Sequence, residues 1–336
     1  MNKTLVFFMP NFKRGGVENS LLRISKVLLN NDFKIFITTR DSSKINFKHK
    51  NLKIFDFNLF NKQNFFFDII DLIYLSKKSL KLNLPIITFQ SPLIILFLNS
   101  FLKNKILICI RESNTIKFSI GKNLKMYLNL IQKKICWTLA YKIICVSKDS
   151  YYQNIKFIRH QKKNVELIYN PINKSELINL SKEKINYNFD KKKFHICALG
   201  RVTFQKNYSY LIDIIHFLSK KLSLQLHIIG DGDELTFIKK KVKKLNLEND
   251  IVFHGYLNNP FKILKECNLL INTSLYEGIG NILIESLYLN VNVVSSNSPG
   301  GAKEILDNGN CGLLIDINSK YNINADIIFN YIMDKQ

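Results

Sequence analysis

Short apolar runs alternate along the chain with longer segments whose apolar positions recur every three or four residues. Runs bounded by polar or glycine-bearing turns predict strands at 3–9, 34–39, 52–57, 85–90, 106–111, 142–146 and 165–169. After the first of them, 17–30 places Val17, Leu21, Leu22, Ile24, Leu28 and Leu29 on one broad helical face. Strand alternating with helix is the pattern of a parallel sheet wrapped by helices. Asn170-Pro171 interrupts it, and the polar stretch 173–193 reads as a connection with room for a short helix. The rhythm resumes with strands at 194–199, 224–229, 251–253, 268–271, 291–295 and 312–315, and with apolar residues at helical spacing over 281–290. The pattern therefore predicts an α/β protein of two similar Rossmann-like domains, 1–170 and 194–336, joined by 171–193 and facing each other across a cleft. In such sheets ligands bind at the carboxyl ends of strands, where loops meet helix starts.

Composition narrows the chemistry. A chain of 336 residues has room for about two domains, and 46% hydrophobic content supplies two cores. The net charge of +23 points to phosphate-bearing ligands, nucleic acid or an anionic membrane surface. Its richness in Lys, Asn, Ile and Phe is also what an AT-rich genome would write without selection for binding. Nucleic acid is not expected as a partner, because the aromatic residues sit mainly in apolar runs rather than among exposed basic residues. The six cysteines are scattered without a Cys-x-x-Cys pair, which suits free, mostly buried thiols in a reducing compartment. The six histidines show no metal-ligand spacing, and no metal is expected. Residues 5–9 read as a buried strand rather than a signal sequence, and Gln90, Ser91 and Pro92 interrupt the most apolar window, 84–98. The expectation is a soluble or peripheral protein facing the cytoplasm.

The chemistry-bearing stretch is Tyr276-Glu277-Gly278-Ile279-Gly280-Asn281-Ile282-Leu283-Ile284-Glu285, after the apolar run Leu269-Leu270-Ile271 and a polar turn at Asn272-Thr273-Ser274. Glycines at a helix start let a ligand approach the backbone, and the free amides there suit a diphosphate. Glu277 in the loop and Glu285 in the helix could face one ligand, although two solvated glutamates around an ordinary turn would read the same way. Gly15-Gly16 opens the first helix of the first domain, and Gly200 to Asn207 opens the first of the second with Arg201 and Lys206. Arg grips phosphate oxygens bidentately and Lys acts as a compact charge. Neither a Gly-x-Gly-x-x-Gly nor a Gly-x-x-x-x-Gly-Lys-Ser/Thr loop occurs, so hydride transfer and ATPase readings lose support. Asp231-x-Asp233 fits a turn and helix cap better than a metal site. A hydrolase built on Glu277 and Glu285 leaves Arg201 and Lys206 without a task.

These residues resemble a known family. Gly15-Gly16-Val17-Glu18, Gly200-Arg201 with Lys206-Asn207, Gly230-Asp231-Gly232, and Glu277 with Glu285 are similar to the motifs of the retaining glycosyltransferase family 4, of GT-B fold. So are Val146-Ser147, Ile168-Tyr169-Asn170-Pro171 and Pro299-Gly300-Gly301-Ala302-Lys303-Glu304-Ile305. The resemblance implies transfer from a nucleotide-sugar, UDP-linked, to a glycan or polyprenyl-linked acceptor in bacterial surface-polysaccharide assembly, with no cofactor and no obligatory metal. It implies that Arg201 and Lys206 hold the donor diphosphate, Glu277 contacts the transferred sugar, and Glu285 binds the ribose. Gly15 and Gly16 would approach the donor phosphates, and Gly278, Ile279, Gly280 and Asn281 would present amides. A front-face retaining mechanism, in which the departing phosphate oxygen takes the acceptor proton, goes with it. A nucleotide-sugar epimerase of similar fold and an inactive nucleotide-sugar-binding assembly protein remain alternatives.

The chain also departs from that pattern. Many members carry a histidine where this one has Thr88-Phe89-Gln90-Ser91, so no histidine role carries over. Ile110-Arg111-Glu112-Ser113-Asn114 is instead similar to the Arg-Glu-x-Asn stretch of members that transfer N-acetylhexosamines. Arg111, Glu112 and Asn114 are thereby acceptor-side or sugar-side candidates, against a strand-end ion pair. Members usually continue past the position of Gln336 with a helix that crosses to the first domain, and the chain is expected to stop before it. The basic amphipathic stretch 122–142, with Trp137 among its apolar residues, reads either as a peripheral contact with an anionic membrane or as a domain helix with a solvated basic face.

Overall fold

The structure, a computed structural model, describes residues 3–9, 12, 15–39, 42–45, 47–56, 84–89, 107–112, 124–158 and 164–335. The chain divides into two compact units, Met1–Pro171 and Ile172–Gln336. The strands of the first are β1 (Thr4–Phe8), β2 (Lys34–Thr39), β3 (Leu52–Asp56), β4 (Ile86–Thr88), β5 (Ile108–Glu112), β6 (Lys142–Cys145) and β7 (Val165–Leu167). They pair in parallel in the order β3-β2-β1-β4-β5-β6-β7. Its described helices are α1 (Gly16–Asn30), α2 (Leu124–Leu139) and α3 (Lys148–Ile158). Alternation along β1 sends Phe7 to a core with Leu21, Leu29, Ile35 and Ile37, and Val6 and Phe8 to one with Ile86, Ile110, Trp137 and Ile143. A sheet buried on both faces needs near-continuous apolar runs, which is why these strands stand out in the sequence.

Helix α2 separates what its sequence pattern merges. Cys136 and Trp137 are buried, with the Trp137 ring edge-on to Phe157 at 5.2 Å, so Trp137 belongs to the core and not to a surface face. Ile131, Ile135 and Leu139, four residues apart, are exposed instead.

The second unit is built from β8 (Phe194–Leu199), β9 (Leu224–Ile229), β10 (Ile251–Gly255), β11 (Leu269–Asn272), β12 (Asn292–Ser296) and β13 (Leu313–Ile315). Its helices are α4 (Lys174–Ser181), α5 (Tyr208–Leu218), α6 (Leu235–Lys244), α7 (Phe261–Lys265), α8 (Asn281–Tyr288), α9 (Ala302–Ile305) and α10 (Tyr321–Lys335). The parallel order β10-β9-β8-β11-β12-β13 is that of doubly wound dinucleotide folds. One face packs under α5, α6 and α10 through Leu211, Ile215, Ile238 and Ile328, the other under α7, α8 and α9 through Leu264, Leu283 and Ala302. Observed strand limits differ from the sequence expectation by one or two residues at most ends, where the apolar run and the hydrogen-bond ladder do not stop together.

The polar stretch before β8 is tied to the second unit. Asn173 caps α4, its Oδ1 accepting from the Glu176 amide at 3.2 Å, and Asn259 Nδ2 donates to the Leu180 carbonyl at 2.7 Å. Further on, Tyr187 and Phe189 pack edge-on or tilted against His195, His227 and His254. These histidines, on β8, β9 and β10, form a column with ring nitrogens 2.9 Å apart, from His195 Nδ1 to His227 Nε2 and from His227 Nδ1 to His254 Nε2. His195 Nε2 lies 2.9 Å from the Asp190 carbonyl, which can only accept. For singly protonated rings that end orients the column: His195 donates to Asp190, His227 to His195, and His254 to His227.

Candidate functional site

In the second unit the strand order reverses between β8 and β11, the switch point at which open sheets of this type bind ligands. The loops that leave these two strands carry Lys206 and Glu277. Gly200 follows β8 at φ +150, and Asn207 takes the left-handed conformation (φ +52) just before α5. The loop from 273 is sewn to this one: Thr273 Oγ1 donates to the carbonyls of Lys206 and Asn207, each at 3.1 Å. The Leu275 amide donates to the Gln205 carbonyl at 2.8 Å, and Gln205 Nε2 to the Tyr276 carbonyl at 2.9 Å. Held this way, Lys206 Nζ forms an ion pair with Glu277 Oε1. Glu277 is only 8% exposed, so the pair is largely withdrawn from water.

The two neighbouring strands supply glycine-backed supports. A Cβ on Gly230, after β9, would lie 1.9 Å from the Gly200 carbonyl oxygen, and one on Gly232 would lie 2.4 Å from that of Val202. After β12, a Cβ on Gly300 (φ +133) would lie 2.4 Å from the Glu277 carbonyl oxygen, and one on Gly301 would lie 2.5 Å from that of Ile279. The Glu277 amide donates to the Pro299 carbonyl at 2.9 Å. Only glycine lets these loops approach so closely, and the approach fixes the backbone on either side of the Glu277 side chain.

Arg201, on the same loop as Lys206, is exposed and makes no ion pair among the described residues. Gly278, Ile279 and Gly280 are buried, Gly280 caps α8 at φ +79, Asn281 is the first helical residue, and Glu285, one turn on, is 5% exposed. In the first unit, Gly15 and Gly16 stand at the start of α1. Arg111, on β5, is buried; its Nη2 donates to Asn170 Oδ1, and its guanidinium lies 5.1 Å from the centre of the Phe89 ring. The backbone of Glu112 ends β5, while Asn114, Gln90 and Ser91 lie outside the described residues.

Two sequence expectations require correction. Asn272-Thr273-Ser274, expected as a polar turn, instead begins inside the strand: Asn272 ends β11 and all three residues are buried. Ser274 Oγ lies 2.7 Å from Glu277 Oε1 and 2.7 Å from Asn272 Oδ1, and Asn272 Nδ2 lies 3.2 Å from Ser295 Oγ. Polar residues can sit here because they satisfy one another at the strand ends. Asp231 and Asp233 do not cap α6, which follows Glu234 without a side-chain cap; Asp231 Oδ1 instead accepts from the Gly232 amide at 2.7 Å within the turn. Among the described residues no cluster of three or more His, Cys, Asp or Glu side chains is arranged to hold a metal ion, and no helix is long and apolar enough to cross a membrane.

Comparison with known proteins bears on the same region. Residues 180–332, most of the second unit, match the family Glycosyl transferases group 1. Over 224 residues the chain is 30% identical to the N-acetylgalactosamine-N,N'-diacetylbacillosaminyl-diphospho-undecaprenol 4-alpha-N-acetylgalactosaminyltransferase of Campylobacter jejuni, a match covering 65% of this chain and 58% of that protein. The chain spans about half the length of the curated relatives it matches. Among solved structures it is similar to Anabaena Alr3699/HepE in complex with UDP-glucose, with a TM-score of 0.77 at 16% identity, covering 99% of this chain and 90% of that one. It is also similar to WaaG, a glycosyltransferase involved in lipopolysaccharide biosynthesis, with a TM-score of 0.72 at 13% identity, covering 96% and 91%. The fold is thus α/β, two parallel-sheet Rossmann-like halves of the kind found in GT-B glycosyltransferases.

Proposed function

We propose that the protein is a retaining, metal-independent glycosyltransferase that moves a sugar from a UDP-sugar to a lipid-linked glycan acceptor in bacterial surface-polysaccharide assembly. The observation that carries this reading is the Lys206–Glu277 pair at the switch point of the second sheet, with exposed Arg201 on the same loop. A departing nucleoside diphosphate needs fixed positive charge in a site shielded from water. Lys206 is already held and largely desolvated by a carboxylate, and incoming phosphate oxygens replace that partner. Arg201 adds a forked donor. Glu277, whose hydrogen bonds fall on Oε1, keeps Oε2 for a hydroxyl of the transferred sugar. The start of α8, from Gly278 to Asn281, offers amides to the phosphates, and Glu285 takes the ribose.

In this mechanism the leaving phosphate oxygen accepts the acceptor's proton on the face it departs from, so no covalent glycosyl-enzyme forms. Gly15 and Gly16 are assigned to the donor phosphates, and Arg111, Glu112 and Asn114 to the acceptor or sugar. The exposed Ile131, Ile135 and Leu139 beside Lys133 and Lys134 on α2 support a peripheral contact with an anionic membrane, the place of a polyprenyl-linked acceptor. The likeness to the Campylobacter jejuni transferase supports an N-acetylhexosamine as the transferred sugar.

The test is incubation with UDP- and GDP-sugars, with and without a membrane extract, followed by mass analysis of the lipid fraction. Nucleotide release that requires acceptor, unchanged by a chelator and yielding an α-linked product, supports the proposal. Sugar isomerisation without acceptor, or binding without turnover, overturns it.

A further inference from the structure

Ser274 is fully buried and has one hydroxyl proton for two oxygens, Glu277 Oε1 and Asn272 Oδ1, each 2.7 Å away. The ion pair with Lys206 keeps Glu277 a carboxylate, which can only accept, and a charged acceptor forms the stronger hydrogen bond. The proton therefore belongs to Glu277. An Asn272 oxygen facing Ser274 would then set lone pair against lone pair in a dry site. Turning the amide over removes the conflict: NH2 faces Ser274, and the oxygen faces Ser295 Oγ at 3.2 Å, whose one proton turns to it from the Ser296 carbonyl, the longer contact at 3.4 Å. The two ends of an amide are told apart by the partners they satisfy.

We infer that Asn272 and Ser274 are positioning residues, a buried relay whose donors run from Ser295 through Asn272 and Ser274 to Glu277 Oε1. When phosphate draws Lys206 away from that oxygen, the relay still fixes the carboxylate's rotation and reserves Oε2 for the ligand. The backbone reinforces it: Ser296 Oγ donates to the Ser274 carbonyl at 2.6 Å, anchoring the residue to β12. Asn272 and Ser274 are both buried behind Glu277's Oε1, so their effect passes through Glu277. The inference rests on the glycosyltransferase reading for what Glu277 does, and on donor counting alone for how it is held.

A double-mutant cycle tests it. Ser274→Ala is expected to lower kcat about 10-fold to 100-fold, the weight of a hydrogen bond to a charged group, with little change in donor KM. In a Glu277→Gln background the same change should cost less than about 2-fold, because the group it acts through is already altered. Equal losses in both backgrounds make Ser274 merely structural and overturn the relay. Asn272→Asp keeps the shape but removes the NH2, and should reproduce the loss; wild-type kcat there means that Asn272 accepts from Ser274 and overturns the direction. Where Ser274→Ala does not fold, Asn272→Asp carries the same cycle. A wild-type protein that turns over no nucleotide-sugar counts against the glycosyltransferase reading. A wild type that turns over beside an unimpaired Ser274→Ala counts against the relay alone.

Discussion

Two buried polar clusters share the second sheet and solve the problem of burial in opposite ways. At the carboxyl ends of β8 and β11, Lys206, Ser274 and Glu277 keep an ion pair out of water. Across β8, β9 and β10, His195, His227 and His254 form a column of uncharged rings under Tyr187 and Phe189. Burying charge is costly and stabilises little unless the geometry is good, whereas a neutral hydrogen-bonded column carries no such penalty. The column ties the segment before β8 to three strands and has the character of a structural clasp. The ion pair stands at the switch point with a carboxylate oxygen left over, and the proposed ligand site rests on that asymmetry. Removing its charge should therefore damage turnover far more than folding, while charging the column should damage folding first.

The largest effect is expected at the ion pair. Glu277→Gln keeps the shape of the side chain, and Lys206→Ala removes the cation. Each should lower transfer by about 10²–10³-fold, the usual cost of deleting one preorganised electrostatic group. Acceptor-dependent nucleotide release measures the loss, and thermal unfolding should show both variants folded. Near-normal turnover in either would remove the functional half of the comparison.

Acid should break the other half. Burial, then the neighbouring His254 and His195, push the His227 ring down to about 3, and burial lowers His254 as well. The folded-state value lies below the unfolded one, so unfolding takes up protons. The column's contribution is complete above about pH 6.5 and is lost as pH falls from there toward about 3. His227 is fully buried, and the loss should amount to a few kcal/mol at most. Urea unfolding between pH 7.5 and 4 measures the slope, and His227→Gln should flatten it. A slope unchanged in that variant would assign the acid sensitivity elsewhere.

Much of this framework can be read from residue order, and what cannot has a physical reason. Strands such as 34–39 and 194–199 are legible because a sheet covered on both faces must be continuously apolar. Lys206 and Glu277 are legible because glycine-bearing loops after strands lead to helix starts. Asn272 and Ser274 are misread because a polar triplet after an apolar run usually meets water, and only the neighbouring strand shows that Ser295 and Ser296 meet it instead. The histidine column is invisible for a related reason. Its members lie 32 and 27 residues apart and meet only through strand register, which spacing does not reveal. Tyr187 and Phe189 sit in a stretch whose polarity suggests a loose connection, yet their rings cover that column.

A smaller effect should come from the support behind the charged cluster. Gly300→Ala forces a Cβ within 2.4 Å of the Glu277 carbonyl oxygen at φ +133, where a side chain is strained whatever the space. Backbone strain of this kind costs about 1–3 kcal/mol, and here the loop can relax only by moving Glu277. Transfer should fall more than the change in stability explains. Gly309→Ala is the control, because Gly309 also has a positive φ but no atom lies within 4 Å of its Cβ position. It should cost stability and leave transfer alone. Equal effects on transfer would mean that the Gly300 backbone does not act through Glu277.

The smallest expected change extends the comparison to the first unit. Arg111 is buried, whereas Lys206 is partly exposed, and the contacts of Arg111 include a neutral amide, Asn170, and the face of the Phe89 ring. An amide oxygen and an aromatic face suit a flat, forked cation. Arg111→Lys keeps the charge and loses the fork, so it should cost about 1 kcal/mol in the unfolding of the first unit. If Arg111 also serves the acceptor, the variant should raise the acceptor KM while donor binding to the second unit stays the same. A change in donor KM of the size seen for Lys206→Ala would mean that the two cations are not divided between two tasks.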